Sequence, residues 1–474
     1  MGNILVISLN ILIRFARFFE DVYATQHKRK AMRSNILLLV LVFITFNANA
    51  KSITEFTPFK YDVLFTNPVC KTYYYDENVV SNDGEKLKSK TKDAYCKSSD
   101  SSKSRAQKTS PHRKLKEWIK DSKTKEIFLA YLSFSNGDIQ KELCNAIKYR
   151  NVKVTLVIDS NNEEDASRMH QARALEKCRP KNTNGEEPNY PEVYTSGNTG
   201  GAKYAHNKVF FVNPFDTKEV RIGFSSGNMS SGTTTHHENW HFITTSPKTY
   251  FAKAHLCLRE GILNHDSSKK EFTRFIASCK KKIDVNEESD IKTFFVPGEG
   301  VQAMEAITDS IKKSKMVDMA AHRFSNSKLV KALSSALKTK KTKVRLVADD
   351  DIYWSGVYKR GMGRNSLTEL GKVRGLERLG MRTKYIETYM DDVFEPKSLQ
   401  LQHNKFLIFT FKNEGGAVFT GAGNLTSSAF SVNYENFYYI SIPEVFKAYQ
   451  DQYKHFWNEL AKSSSDMPTE LVLP

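Results

Sequence analysis

The sequence has no Cys-x-x-Cys pair and no cysteine after Cys279. The first absence argues against a zinc knuckle or a redox dithiol. The second leaves the last part of the chain to hold its fold without a disulfide. Acidic residues are in short supply: 53 Asp and Glu stand against 71 Lys and Arg, a formal net charge of +18. Such a surplus favours anionic partners, whether nucleic acid, anionic lipid or a phosphorylated surface. The apolar run ILLLVLVFITF (36–46) is too short to span a bilayer comfortably. The 474 residues suffice for two or three domains with a substantial core.

That run follows the basic KRKAMR (28–33) and precedes Ala48-x-Ala50, a small-residue cleavage pattern. The segment reads as a secretory signal peptide cut after Ala50, with Met32 as its natural start and residues 1–31 as an upstream extension. A secreted or periplasmic location follows. All six cysteines (Cys70, Cys96, Cys144, Cys178, Cys257, Cys279) lie beyond the cut. An even count in an oxidising compartment suggests disulfides. Of the possible connectivities, sequential pairing closes the shortest loops and is the expectation here. The lysine-rich tract 86–116 reads as a solvated linker within a basic N-terminal segment, 51–114.

The rest of the chain is a duplication. EIFLAYLSFSNGDIQKELCNAIKYRNVKVTLVID (126–159) matches KMVDMAAHRFSNSKLVKALSSALKTKKTKVRLVAD (315–349). Each has an apolar strand, the triplet Phe-Ser-Asn, apolar residues at helical spacing, and a strand ending in Asp159 or Asp349. This is a strand–helix–strand unit used twice, which predicts an α/β fold. KYAHNKVFFVN (203–213) pairs with SLQLQHNKFLIFT (398–410), at an offset of 403 − 206 = 197. FSSGNMSS pairs with GAGNLTSS (424 − 228 = 196), and HHENWHFI with NYENFYYI (435 − 238 = 197). The halves are placed at 115–283 and 293–474, joined by an acidic linker at 284–292.

Residues two apart on a strand face the same side, so His206 projects with Lys208, and His403 with Lys405. A histidine and a lysine at the mouth of a buried strand call for an anionic ligand. Asn228 and Asn424 follow Gly- and Ser-containing turns, where an amide can donate to a phosphate oxygen.

These duplicated motifs resemble those of the phospholipase D superfamily. The resemblance implies two repeats, each a mixed, mostly parallel sheet flanked by helices, packed with pseudo-twofold symmetry around one active site. It implies a metal-independent phosphodiesterase with no cofactor. His206 would attack phosphorus and His403 would act as acid and base, while Glu238 and Glu435 orient the two imidazoles. Lys208, Lys405, Asn228 and Asn424, with Ser226, would hold the phosphoryl oxygens. Many members carry Asp seven residues after the motif histidine; here those positions are Asn213 and Thr410, and Ala422 stands where a serine is common. The leading expectation is a monomer that hydrolyses or transfers phosphatidyl groups. A nuclease of the same chemistry and an inactive phosphate-binding effector are the alternatives.

His237-Glu238-x-x-His241 has zinc-peptidase spacing, but its counterpart YENFYYI keeps only the glutamate. Strand-forming residues around it would hold the two histidines roughly 13 Å apart, too far to share a zinc. Asp159 and Asp349 are expected in turn or cap roles, His322 as structural, and Tyr353 and Trp354 in packing. TSGNTGGAK (195–203) is expected to be a loop beside the site.

Overall fold

The computed structural model describes residues 54–69, 75–80, 86–90, 98–183, 185–353, 368–386, 401–463, 465 and 471–472. The leader expected at 1–50, Cys70, Cys96 and Trp354 lie outside them. Each half is built on the duplicated unit. In the first, EIFLAY and KVTLVID are nearly all buried and flank the helix Gly137–Arg150. In the second, Ser314–Ala321 and Lys343–Asp349 flank the helix Ser327–Lys338. Both strand pairs are parallel, as a helical crossover requires.

The Phe-Ser-Asn triplet has a local reason. Asn136 caps the first helix, its side chain accepting from Ile139 N, and Asn326 caps the second, accepting from Lys328 N and Leu329 N. The same triplet clips a turn from elsewhere. Ser135 N and Asn136 N donate to Met229 O, and Ser325 N and Asn326 N donate to Leu425 O. Met229 and Leu425 directly follow Asn228 and Asn424, so the helix start and the asparagine turn are fixed together.

The first sheet runs β1 (Lys60–Thr66), β9 (Glu238–Thr245), β8 (Val220–Ser225), β7 (Lys208–Val212), β4 (Glu126–Tyr131), β5 (Lys153–Asp159) and β6 (Glu192–Ser196). The second runs β10 (Ile291–Val296), β16 (Glu435–Ile440), β15 (Gly416–Gly421), β14 (Lys405–Phe411), β11 (Ser314–Ala321), β12 (Lys343–Asp349), β13 (Arg382–Ile386) and β17 (Lys462–Ser463). A small sheet joins β18 (Leu471–Val472), β3 (Lys86–Lys90) and β2 (Tyr75–Val80).

Both large sheets are mixed, but the expectation of mostly parallel pairing is corrected. Only β4–β5–β6 and β11–β12–β13 pair in parallel; the other neighbours in the two sheets are antiparallel. The motif strands follow one another through short connections, and a chain without a long crossover must return antiparallel.

Both faces of these sheets are covered, which explains the unbroken apolar runs. Val209 and Phe211 of β7 and Phe406 and Ile408 of β14 join one cluster shared by the two halves, together with Leu258, Tyr438 and Tyr449. Phe210 and Val212 point instead into the first half's outer cluster, and Leu407 and Phe409 into the second's. Two disulfides follow the sequential pairing, Cys144–Cys178 and Cys257–Cys279, with Cα separations of 5.5 and 5.8 Å.

Segments read as linkers take part in the fold. β1, upstream of 115, is the edge strand beside β9. The helix Pro111–Lys120 at the end of the lysine-rich tract buries Leu115, Trp118 and Ile119. In the acidic stretch, Glu288 accepts from the backbone N–H groups of Tyr250 and Phe251 at the start of the helix Tyr250–Asn264. Among the described residues no helix is long and apolar enough to cross a membrane.

Because Asn136 also donates to Thr233 Oγ1 at 2.8 Å, its loss removes more than a cap. Asn136→Ala should cost about 1–2 kcal/mol of unfolding free energy. Urea denaturation of the two proteins side by side measures this, and an unchanged midpoint would contradict the capping role.

Candidate active site

The two halves meet through four equivalent backbone hydrogen bonds. Tyr434 N donates to Tyr204 O, and His206 N returns a bond to Tyr434 O. Likewise His237 N donates to Leu401 O, and His403 N to His237 O. Each motif histidine therefore enters its strand alongside the glutamate of the opposite half.

Buried carboxylates take advantage of that placement crosswise. Glu435 Oε2 lies 2.8 Å from Nδ1 of His206, and Glu238 Oε1 lies 3.0 Å from Nδ1 of His403. Both glutamates are fully buried. A carboxylate at Nδ1 favours the tautomer with its proton there, which leaves the Nε2 lone pair free for chemistry. Small residues make room for these side chains. A Cβ on Gly227 would collide with the Glu238 carboxylate, and one on Gly423 would press on Phe437 and Glu435.

Two backbone anchors hold the histidines from the other side. Asp159 Oδ2 accepts from Ala205 N, and Asp349 Oδ2 from Gln402 N, both at 2.6 Å. Each bond falls one residue before a motif histidine. Asp159 also caps the following turn through Asn161 N, and Asp349 does the same through Asp351 N. The loop expected at 195–203 begins only after β6 ends at Ser196, and it supports this arrangement, with Asn198 N donating to Lys203 O and the Asn198 amide reaching Asp159.

Both lysines are buried in the same place. Lys208 Nζ lies 3.1 Å from His206 Nε2, and Lys405 Nζ donates to His403 O and Ser226 O. Burial pushes the His206 imidazole down to about 4, against the opposing pull of Glu435. It brings the Lys208 ammonium down to about 8, and takes His403 and Lys405 well below their ordinary values. An anion delivered among these groups would restore their charged forms. On each arm the buried amide oxygen of Asn228 or Asn424 has no hydrogen-bond partner among the described residues. Since amide orientation is assigned from such partners, each side chain is positioned to turn its NH2 toward a phosphoryl oxygen.

Ser226 enters differently from expectation. Its hydroxyl accepts from Asn239 N, so its carbonyl, not its hydroxyl, reaches Lys405. Asn213 closes the far end of β7 with a left-handed backbone, its side chain accepting from Lys125 N and Glu126 N. It is seven residues from His206 along an extended strand, roughly 20 Å away, so an acid there would not touch the chemistry.

The zinc-peptidase pattern dissolves, because Glu238 and His241 lie on a strand. His241 stacks on Phe224 and bonds to the hydroxyls of Tyr61 and Tyr449. Two other histidines do stand beside the site. The rings of His236 and His322 approach that of His403, with centroids 5.6 and 4.9 Å away. His322 had looked structural because its counterpart is Leu132; two-residue spacing from Glu238 was the available signal for His236.

Residues 307–457 match the family model described as cardiolipin synthase, PLD-like domain. That segment of the second half is a phospholipase D-like domain. The first half of the chain repeats the same motifs on an equivalent sheet. No curated protein matches the sequence significantly. Among solved structures, phosphatidylserine synthase from Haemophilus influenzae Rd KW20 is similar at 12% identity, with 74% of this chain and 84% of that one covered and a TM-score of 0.49. Nuc from Salmonella typhimurium, a phospholipase D family member, is 20% identical over 36% of this chain and 96% of its own (TM-score 0.27). Yeast tyrosyl-DNA phosphodiesterase is 12% identical, covering 69% and 86% (TM-score 0.41).

The buried neutral imidazoles set an acid limit. His206 and His255 are held near 4, and His237 and His241 near 3, each chiefly by burial. Unfolded, they bind protons near 6.5, so the unfolded state takes up more protons as pH falls through that value. Stability should therefore decline from about pH 6.5 to 5, before most carboxylates titrate. Urea midpoints across that range test the burial, and a flat profile would refute it.

Proposed function

We propose that the chain is a metal-independent phosphodiesterase that works through a phosphohistidine. The crosswise pairing of two buried glutamates with two histidines supports this reading most strongly, since it prepares two imidazoles alike for nucleophilic and acid–base work. His206 Nε2 attacks phosphorus. The P–O bond to the leaving alcohol breaks, and His403 supplies that oxygen's proton. Water then attacks the phosphohistidine, His403 takes the proton back, and the P–N bond breaks. Lys208 and Lys405 counter the phosphoryl charge, and Asn228 and Asn424 donate to its oxygens.

Phosphatidyl diesters are the first substrate class we propose. Single-stranded nucleic acid is the second reading, favoured by the net charge of +18. Turnover of a phospholipid panel and of single-stranded DNA in EDTA separates the two. His206→Ala and His403→Ala should each lose at least about 100-fold in rate. With an activated leaving group, His403→Ala should accumulate phosphate on His206. Label on His403 in the wild type or in His206→Ala, or wild-type rates in either variant, would reject the assignment.

Export after Ala50 belongs to the same proposal. Two disulfides are in keeping with an oxidising compartment. N-terminal sequencing of the exported protein should begin at Lys51, and a retained leader would disprove cleavage.

A further inference from the structure

Glu238 faces two imidazoles rather than one. Its Oε1 is 3.0 Å from Nδ1 of His403 and 3.5 Å from Nδ1 of His236. The three ligand atoms lie within 4.8 Å of one another. The His236 Nδ1 is buried without a hydrogen-bond partner, as is the second oxygen of Glu238. Among the described residues the opposite arm has no such cluster. There the equivalent of His236 is Asn433 (433 − 236 = 197), whose amide simply donates to Glu435 Oε1 at 3.0 Å.

We propose that His236, Glu238 and His403 bind a zinc-class divalent cation, and that the bound cation switches the phosphodiesterase off. Zinc bonds to imidazole nitrogen and carboxylate oxygen at about 2.0–2.2 Å, which sets neighbouring ligand atoms of a tetrahedron about 3.4 Å apart. The separations of 3.0 and 3.5 Å bracket that edge, and the two imidazole nitrogens lie within 4.8 Å of each other. Two imidazoles with one carboxylate suit zinc, copper or nickel rather than calcium or magnesium. Three protein ligands leave a fourth position for water. Lys208 and Lys405 stand nearby and oppose the cation, so the affinity expected is below that of a closed structural zinc site.

Inhibition follows from which nitrogen is taken. Metal at Nδ1 of His403 takes the lone pair of the other tautomer of the neutral ring, so the single N–H proton, otherwise shared with Glu238 at Nδ1, sits on Nε2. That nitrogen then has no lone pair with which to attack phosphorus or accept a proton. The switching rests on the catalytic reading of His403; the binding does not.

The test uses the full-length protein stripped of metal, with Co2+ as the visible-absorption probe and Zn2+ followed by calorimetry. One equivalent of Co2+ should give ligand-field bands. His236→Asn, which copies Asn433, should lose those bands, weaken Zn2+ binding at least tenfold, and retain turnover that Zn2+ no longer inhibits. His236→Gln provides a second variant, and thermal melts check that both fold. No Co2+ bands in the wild type, or undiminished Zn2+ binding in the two folded variants, would overturn the proposal. Because binding is read without substrate, a chain inactive on every diester would still decide it.

Discussion

The crossing of each motif imidazole with the other half's glutamate is the constraint on which the structure depends. The two bonds join residues 229 and 165 positions apart. Neither half can complete a histidine–glutamate pair of this kind by itself. The two halves must therefore meet at one point, in one orientation. The four reciprocal backbone bonds through Tyr434 and His237 impose that point. Burying two carboxylates and two lysines together is costly unless each is paired, and a small register error would leave charges unpaired in the interior. The shared apolar cluster supplies the cohesion, while this polar seam specifies the geometry.

The surrounding scaffold resists relaxation of the seam from several directions. Asp159 and Asp349 grip the backbone just ahead of the histidines, and the Phe-Ser-Asn triplets clip the asparagine turns. Asn239 adds a direct tie across the halves, donating to Asn404 Oδ1 at 2.9 Å and accepting from Thr420. Such a set of supports holds side chains by backbone and buried amides rather than by exposed ion pairs, which would contribute little.

Much of this was legible because the chain is duplicated. A single His-x-Lys would have been weak, but His206 and His403 recur with their asparagines and glutamates at offsets of 196 or 197. Buried strands and the strand setting of Glu238 were readable from periodicity and residue type. What was not readable depended on tertiary neighbours. Alternation along a strand reports which residues share a face, not the direction of the next strand, so the antiparallel majority was missed. Likewise the bond from Asn239 N to the Ser226 hydroxyl joins residues on different strands and turns, which sequence spacing does not report. The N-terminal contribution escaped because β1 carries charged residues along an edge, where partial exposure blurs the apolar signal.

The histidine-rich stretch at 236–241 shows why a motif and a site need not coincide. The spacing that resembles a metal helix belongs to His237 and His241, yet β9 sends His241 into an aromatic stack between Phe224 and Tyr449. His237 contributes through its backbone, as the acceptor for His403 N. The histidine that reaches Glu238 is His236, which sits two residues away on the same side, and the second nitrogen ligand comes from the other half of the chain. Duplication made the two arms alike, and divergence at one position, His236 against Asn433, made them chemically unequal. That inequality falls on the partner of His403 alone, so the two imidazoles of a symmetric frame are not interchangeable.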